Sequence, residues 1–556
     1  MKFSTRAKPR KPGARDFPVG QAVVEATCHL ERGENERALA LLEKVVNHAP
    51  NVPVFRYLLG VVQIRRQLNE AAIANFEMAV RGEPHNVDFL VALSGALLAA
   101  RPQDAMAHLT RAVHLGTKQP QAYSQLAGLL IDARRPEEAL PICDAGLAIC
   151  GAGDPTGVAP ILGTRGRALW SLARNQEALE CLHIVEAALP RDSATMLAIG
   201  GVLLELGRVP EARVYMRRAC DLAPESAVAH YSLGVVLLLE GDYREGFREY
   251  EFRWGVRELA GNRKPFPKPR WDGLALSGSR VLLHAEQGAG DTIQFVRYAD
   301  FVKATGGKAI LLAPASLGRL LSWLPGCEIA ALNEPLPDFD FHCPLVSLPL
   351  LAGTDKNSIP PPARFVIPAE VELKWSGVFG EKTGLRVGLC WAGAPDHRND
   401  RNRSFPCRVF APLISSSLVP PEAAGIEWFS LQVGPAAAQI AEPGLRGKIR
   451  DLSPLLTDYA ETAGAITQLD LVITADTSVA HLAGSLGKPV WVLTPFAPDW
   501  RWLLERGDSP WYPSMRLFRQ PAAGDWESVI GAVGAALWEL PGFRPEEVPD
   551  LISTGL

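Results

Sequence analysis

Apolar positions recur with two different periods along this chain, and the change of period divides it. From about residue 17 to 257 they follow the three-to-four-residue spacing of amphipathic helices, in pairs of segments broken by turn residues. Prolines 50, 84, 120, 155, 190 and 224 stand 34, 36, 35, 35 and 34 residues apart. Gly60, Gly200 and Gly234 lie ten residues after three of them, and Ala38, Ala72, Ala178 and Ala212 lie twelve residues before four. Small residues at fixed register mark where two antiparallel helices touch, and a proline is expected to end the second helix of each pair. The helical pattern lapses across 258–278, "ELAGNRKPFPKPRWDGLALSG", where three prolines and several basic residues exclude a regular helix. Beyond it, short continuous apolar runs alternate with helix-like segments. The runs are "RVLLHA" from Arg280, "KAILLA" from Lys308, "RVGLCWAG" from Arg386, "EWFSLQ" from Glu427, "LVITA" from Leu471, "PVWVLTP" from Pro489 and "MRLFRQ" from Met515. Runs without polar alternation, separated by helices, predict parallel sheets covered on both faces.

The 34-residue register resembles that of the tetratricopeptide repeat, with six to seven copies over 17–257 and irregular third and fourth copies. Stacked repeats of this kind build a superhelix whose concave face usually holds a peptide or protein, although a solenoid that only dimerises or spaces domains has the same pattern. The expected organisation is a basic disordered arm (1–16), repeats (17–257), a linker (258–278), and two Rossmann-like domains (279–375 and 376–556). The polar, proline-rich stretch 353–385 separates the two expected sheets.

Bulk properties narrow the function classes. A hydrophobic content of 47% with 21% charge describes a folded protein. The net charge of −4 offers nucleic acid or anionic membrane no global attraction, despite six Lys/Arg and no acid in Met1 to Arg15. Without an 18-residue apolar stretch or an N-terminal apolar signal core, the expected location is cytoplasmic, with no membrane insertion. Nine cysteines without a CxxC pair read as buried thiols, not as disulfides or a zinc site.

In open parallel sheets, ligands bind off the carboxyl ends of the strands, so the strand-to-helix turns are where chemistry is expected. In "LLHAEQGAGDTIQF", Gly288 and Gly290 permit a tight turn that could cradle an anion, and Asp291 opens a helix, where it could be catalytic or simply an N-cap. The loop "LCWAGAPDHRNDRNRSFP" holds His397, Asn399, Asp400, Arg401, Arg403 and Ser404. An arginine fork suits phosphate, but so charged a loop also suits solvent. In "LVITADTSVAHLAGSLGKPVWVLTP", Asp476, Thr477 and Ser478 stand at a helix N-terminus whose N–H groups complement phosphate, with His481 one turn in; a capped helix with a core histidine is the other reading. The "DFD" of Asp338 to Asp340 is too short a signal to carry a metal site. Neither HExxH, GxxxxGK[ST] nor GxSxG occurs at a suitable turn.

These blocks, with "GDYREGFREYEFRW", "CPLVSLP" and "PDWRWLLERGDSPWYPSMRLFRQ", together resemble bacterial tetratricopeptide-repeat glycosyltransferases, whose catalytic half is similar to the heptosyltransferases and shares their two-Rossmann GT-B fold. The resemblance runs from about 20 to 540 and extends to the flagellin-modifying transferases. Ala394 departs from it, standing where Asn is expected in a WxGNP pattern. The resemblance implies a metal-independent transfer with Asp291 as, or beside, the general base and His284 as the fallback. It implies a nucleotide-sugar, CMP- or UDP-linked, held by Arg403, Ser404, Asp476, Thr477, Ser478 and His481. Gln432 and Asp458 are then expected at the base or ribose, and Trp500 and Arg501 along the cleft. The leading expectation is a protein O-glycosyltransferase whose repeats hold the acceptor, plausibly flagellin with a CMP-nonulosonic acid. A lipopolysaccharide or polysaccharide acceptor, and a non-enzymatic scaffold with a degenerate transferase domain, remain the alternatives.

Overall fold

The computed structural model describes residues 17–151, 155–261, 263–332, 334–397, 399–415 and 425–540; the N-terminal basic arm lies outside them. The chain divides into two compact units, one ending at Val202 and the other beginning at Leu203.

The first unit is a stack of antiparallel helix pairs: Val19–Glu31 with Asn35–His48, Pro53–Arg65 with Asn69–Gly82, Val87–Leu97 with Pro102–His114, Pro120–Asp132 with Pro136–Cys150, and Pro155–Ser171 with Asn175–Ala188. The small residues do what their register predicts. Ala38, Ala72 and Ala178 are fully buried, and a Cβ at Gly60 would sit 2.6 Å from the ring of Phe76. The prolines behave in two ways. Pro50, Pro84 and Pro190 follow the end of a helix, whereas Pro120 and Pro155 open one at its first turn. A first-turn proline loses no helical hydrogen bond, so the middle repeats keep the spacing of the prolines while shifting their role.

The second unit begins with three helices of the same type, Val209–Leu222, Ala227–Glu240 and Tyr243–Tyr250, and continues into two parallel sheets. The first sheet has the order β3-β2-β1-β4, with β1 Arg280–His284, β2 Lys308–Ala313, β3 Glu328–Ala331 and β4 Phe341–Pro344. The second has the order β10-β9-β8-β5-β6-β7, with β5 Leu385–Cys390, β6 Ile426–Ser430, β7 Ile449–Asp451, β8 Leu471–Ala475, β9 Val490–Thr494 and β10 Met515–Arg519. All strand pairs are parallel, for example Leu389 with Ile473 and Leu283 with Cys343. Both sheets are Rossmann-like. The fold class is therefore a helical-repeat region followed by an α/β region with two parallel sheets.

Chain order reverses between β1 and β4 in the first sheet and between β5 and β8 in the second. Outside the carboxyl ends of such strand pairs the flanking loops run in opposite directions and leave a crevice. Strands β8 and β9 are buried along their whole length, as their continuous apolar runs predict. The short edge strands β3 and β7 bury one residue each, Ala330 and Ile449.

Candidate functional site

Each reversal point is flanked by loops singled out from the sequence. Strand β5 ends at Cys390 because Gln432 takes over its ladder: Oε1 accepts from the N–H groups of Trp391 (3.0 Å) and Ala392 (2.9 Å), and Nε2 donates to the carbonyls of Ala392 and Val433 (both 3.0 Å). Gln432, expected to contact a base, thus commits both ends of its amide to shaping the loop. The same loop is cinched by Ser404, whose hydroxyl accepts from the Gly393 N–H (2.9 Å) and donates to Asp400 Oδ1 (2.7 Å). Arg403 lies flat on Gly393, where a Cβ would come within 2.4 Å of Nη2. Its Nη1 donates to the Asp476 carbonyl (3.0 Å), so the loops after β5 and β8 are joined across the reversal point. His397 accepts from the Asn399 N–H (3.2 Å), and Asn399 accepts from Asn402 (2.7 Å), which also reaches Glu205 (3.1 Å).

After β8 the helix Ser478–Ser485 starts at Thr477, whose backbone is extended. The Thr477 hydroxyl faces Thr474 (3.2 Å), and Ser478 shares a hydrogen bond with Tyr459 (2.8 Å). His481 is buried and stacks on Trp502, with centroids 5.4 Å apart, and its Nδ1 lies 3.1 Å from the Tyr512 hydroxyl. Burial, reinforced by Arg501, pushes its pKa down to about 3. The imidazole is therefore neutral and packed, in keeping with the core-histidine reading of this helix. The helix ends at Gly487 in the left-handed region, and the Lys488 ammonium caps the carbonyls of Thr467 (2.7 Å) and Leu469 (2.9 Å).

The glycine-rich turn after β1 meets this helix directly. A Cβ on Gly290 would stand 2.9 Å from His481 Cδ2 and 3.4 Å from the Ser478 Cα, so only glycine allows the approach. Asp291 Oδ2 accepts from the Gly288 N–H (2.8 Å), the capping role, and its Oδ1 pairs with Arg501 Nη2. Arg501 is itself buried. It donates to Asp499 (2.8 Å) and Gln294 (2.6 Å) and stacks on Trp500, 4.2 Å from the ring centroid. Burial works against its charge, but Asp499 and Asp291 outweigh burial and hold its pKa well above the usual value. Burial and then the Asp499 carboxylate push Asp476 up to about 6. Asp499 moves down, because Arg501 overcomes the cost of burying it. Three carboxylates (Asp291, Asp476 and Asp499) and two guanidinium groups (Arg403 and Arg501) therefore converge where the loops after β1, β5, β8 and β9 come together.

Three further residues expected at the site are engaged within the protein. His284, the fallback base, is buried against Phe266 (4.8 Å between centroids) and His342 (Nε2 to Nδ1, 3.3 Å), with a pKa that burial and His342 push down to about 3. It belongs to the wall behind the turn. Asp458 caps the helix Tyr459–Thr467 through the Glu461 N–H (2.8 Å) and pairs with Arg319 (3.1 Å). Trp500, expected to line a cleft, is buried among Tyr243, Phe247, Tyr250, Phe295 and Trp511. Asp340 of the "DFD" run accepts from the Arg280 N–H (2.8 Å) and so fastens β1 to β4. Sequence reasoning missed Asp499, Gln294, Tyr459 and Glu286; Asp499, Gln294 and Glu286 lie inside blocks it quoted, without a signal separating them from their neighbours.

A family model described as a tetratricopeptide repeat matches residues 24–87 and 164–227. The helical region is built of tetratricopeptide repeats. A relative named Protein FlbA, from Caulobacter vibrioides, is 26% identical over 433 residues, spanning 66% of this chain and 71% of that protein. Among solved structures, YrrB, described as a TPR protein with an unusual peptide-binding site, aligns at 14% identity with a TM-score of 0.28, covering 34% of this chain and 95% of YrrB. Pseudomonas aeruginosa PilF aligns at 16% identity with a TM-score of 0.33, covering 38% of this chain and 94% of PilF. No helix among the described residues is long and apolar enough to cross a membrane.

Proposed function

We propose that this protein is a metal-independent glycosyltransferase of the GT-B type that moves a sugar from a nucleotide-activated donor to a Ser or Thr hydroxyl of a protein held by its tetratricopeptide repeats. The observation that carries this reading is the meeting of the loops at the two reversal points. Arg403 joins the loops after β5 and β8, and Arg501 joins the same region to Asp291 on the glycine-rich turn. Two guanidinium groups beside a helix N-terminus suit a departing nucleoside phosphate, whose charge has to be stabilised as the anomeric bond breaks. In the proposed step the acceptor oxygen attacks the anomeric carbon, the bond to the phosphate oxygen breaks, and Asp291 takes the hydroxyl proton. Asp499 and Gln294 keep Arg501 in place while Asp291 turns to the hydroxyl.

The acceptor we favour is flagellin, the donor a CMP-nonulosonic acid or a UDP-sugar, and the location the cytoplasm. Flagellin incubated with the protein and each donor, then weighed intact, gains the mass of one or more sugars. No gain with any donor refutes the reading.

One observation favours a second reading, a scaffold with a transferase-like domain. Arg501 is already answered by Asp291 and Asp499, and Arg403 by Asp400 and a backbone carbonyl. Thermal denaturation with UMP, UDP, CMP, GDP and ADP separates the two. A nucleotide at a hundred times its Kd stabilises the folded state by about 2.7 kcal/mol, and a flat response across the panel favours the scaffold.

A further inference from the structure

The crevice at the β1/β4 reversal point is not open: it holds an arginine from the helical repeats. Arg253 follows the last repeat helix, Tyr243–Tyr250, and is 1% exposed. Its Nη2 donates to Glu286 in the loop after β1 and to Ser347 in the loop after β4, both at 2.7 Å, and its Nη1 donates to Glu251 (2.6 Å). Ser347 closes the ring by donating to the same Glu251 oxygen (2.7 Å). One turn earlier, the Tyr250 hydroxyl meets Gln287 (3.2 Å). Two neighbouring residues of the turn that carries Asp291, Glu286 and Gln287, are thus each gripped by the last repeat. The turn itself supplies little else to hold Glu286, whose second oxygen is buried without a partner.

We propose that Arg253 and Tyr250 are positioning residues: they set the 285–291 turn, and through it Asp291, so that the last tetratricopeptide repeat is a structural part of the site. The inference rests on reading that turn as part of the transferase site. A planar fork with several donors is required, because one group must satisfy Glu286, Glu251 and Ser347 at fixed angles. The other ionisable groups facing Glu286 are Glu251, Arg270 and the Cys343 thiol. Burial pushes Glu286 up to about 7 against the pull of Arg253, so the carboxylate depends on its arginine to stay charged at neutral pH.

The test is hydrogen exchange on the full chain, without any ligand, followed amide by amide. With Arg253→Met, amides 285–291 exchange at least about tenfold faster, the loss of one or more hydrogen bonds to charged groups, while β2, β5 and β8 keep their protection. Adding Glu286→Gln removes the stranded carboxyl and recovers thermal stability, yet the turn stays fast, because what aimed it is still missing. Arg253→Lys restores charge but not the fork and lies between wild type and Arg253→Met. Unchanged exchange at the turn, a uniform rise through both sheets, or full recovery of the turn in the double variant each overturns the proposal. Should Arg253→Met not fold, Tyr250→Phe and Ser347→Ala are read in the same way. Nucleotide binding does not enter the measurement, so failure of the transferase reading shows in the nucleotide panel and failure of this inference shows here.

Discussion

Replacing Arg501 by Met removes the cation at the centre of the buried charge cluster. Asp499 then loses the partner that keeps it ionised, Asp476 already lies high because of burial and then Asp499, and Asp291 loses its Arg501 contact. Arg403, the remaining guanidinium in the cluster, is committed to Asp400 and the Asp476 carbonyl. Stranding one partner of a buried pair costs about 3–5 kcal/mol. For a unit of about 350 residues the unfolding entropy near the midpoint is about 0.7 kcal/mol/K, which converts that cost to a fall in Tm of about 4–7 °C. Asp291→Asn is the control. It leaves Arg501 with Asp499 and Gln294, weakens one part-buried contact, and costs about 1–2 kcal/mol. The sign with pH is also fixed. In Arg501→Met the stranded carboxylates take up protons more readily than in the unfolded chain, so the deficit is greatest at pH 8 and shrinks toward pH 5. Scanning calorimetry of wild type and both variants at pH 5 and pH 8 measures this. Equal losses for the two variants, or a deficit that does not change with pH, would refute the account of Arg501 as the charge holding three carboxylates together.

Gly290→Ala forces a Cβ to within 2.9 Å of His481, and overpacking of that kind costs about 1–3 kcal/mol; chemical denaturation checks it, with Gly531→Ala on an open helix face as the reference, where the gain in helix propensity is about 0.5–1 kcal/mol. Gln432→Ala leaves the N–H groups of Trp391 and Ala392 without their acceptor and costs about 2–4 kcal/mol, with the same readout. Glu286 binds a proton in the folded state between about pH 4.5 and 7 that the unfolded chain has released, so its burial lowers stability as pH rises through that window. Glu286→Gln therefore gains on wild type between pH 4.5 and 8 by about 3 kcal/mol, read from denaturation at the two pH values. His284 and His481 act in the opposite sense, because folded imidazoles that refuse protons cost stability as pH falls from 6.5 toward 3.

The architecture was legible wherever a pattern repeats. The alanines and glycines at fixed register are buried contacts, and the continuous apolar runs are the central strands. Two short edge strands were not legible, since four residues such as Glu328–Ala331 carry no period. At the site, the sequence located the loops but not the allegiance of their side chains. Gln432 beyond a strand end, Asp458 at a helix cap and His481 in the first turn of a helix are each held by a partner far away in the chain: the Trp391 backbone, Arg319 and Tyr512. Composition and spacing hold no record of which acceptor lies across a fold, so a polar residue at a strand end reads the same whether it faces a ligand or props up a neighbouring loop. Arg253 shows the converse, a residue of the helical region whose partners, Glu286 and Ser347, lie 33 and 94 positions away.

The grip of the last repeat on the glycine-rich turn bears on where foreign repeats could be joined to the sheets. Grafting foreign repeats at residue 257, where the helical pattern ends, would discard Tyr250 and Arg253 along with the Tyr243 and Phe247 rings that surround Trp500. A chimera joined between Val202 and Leu203 would exchange most of the repeats and leave those residues with the sheets. Repeats up to that joint can be exchanged without losing these contacts, whereas exchanging those after it removes them.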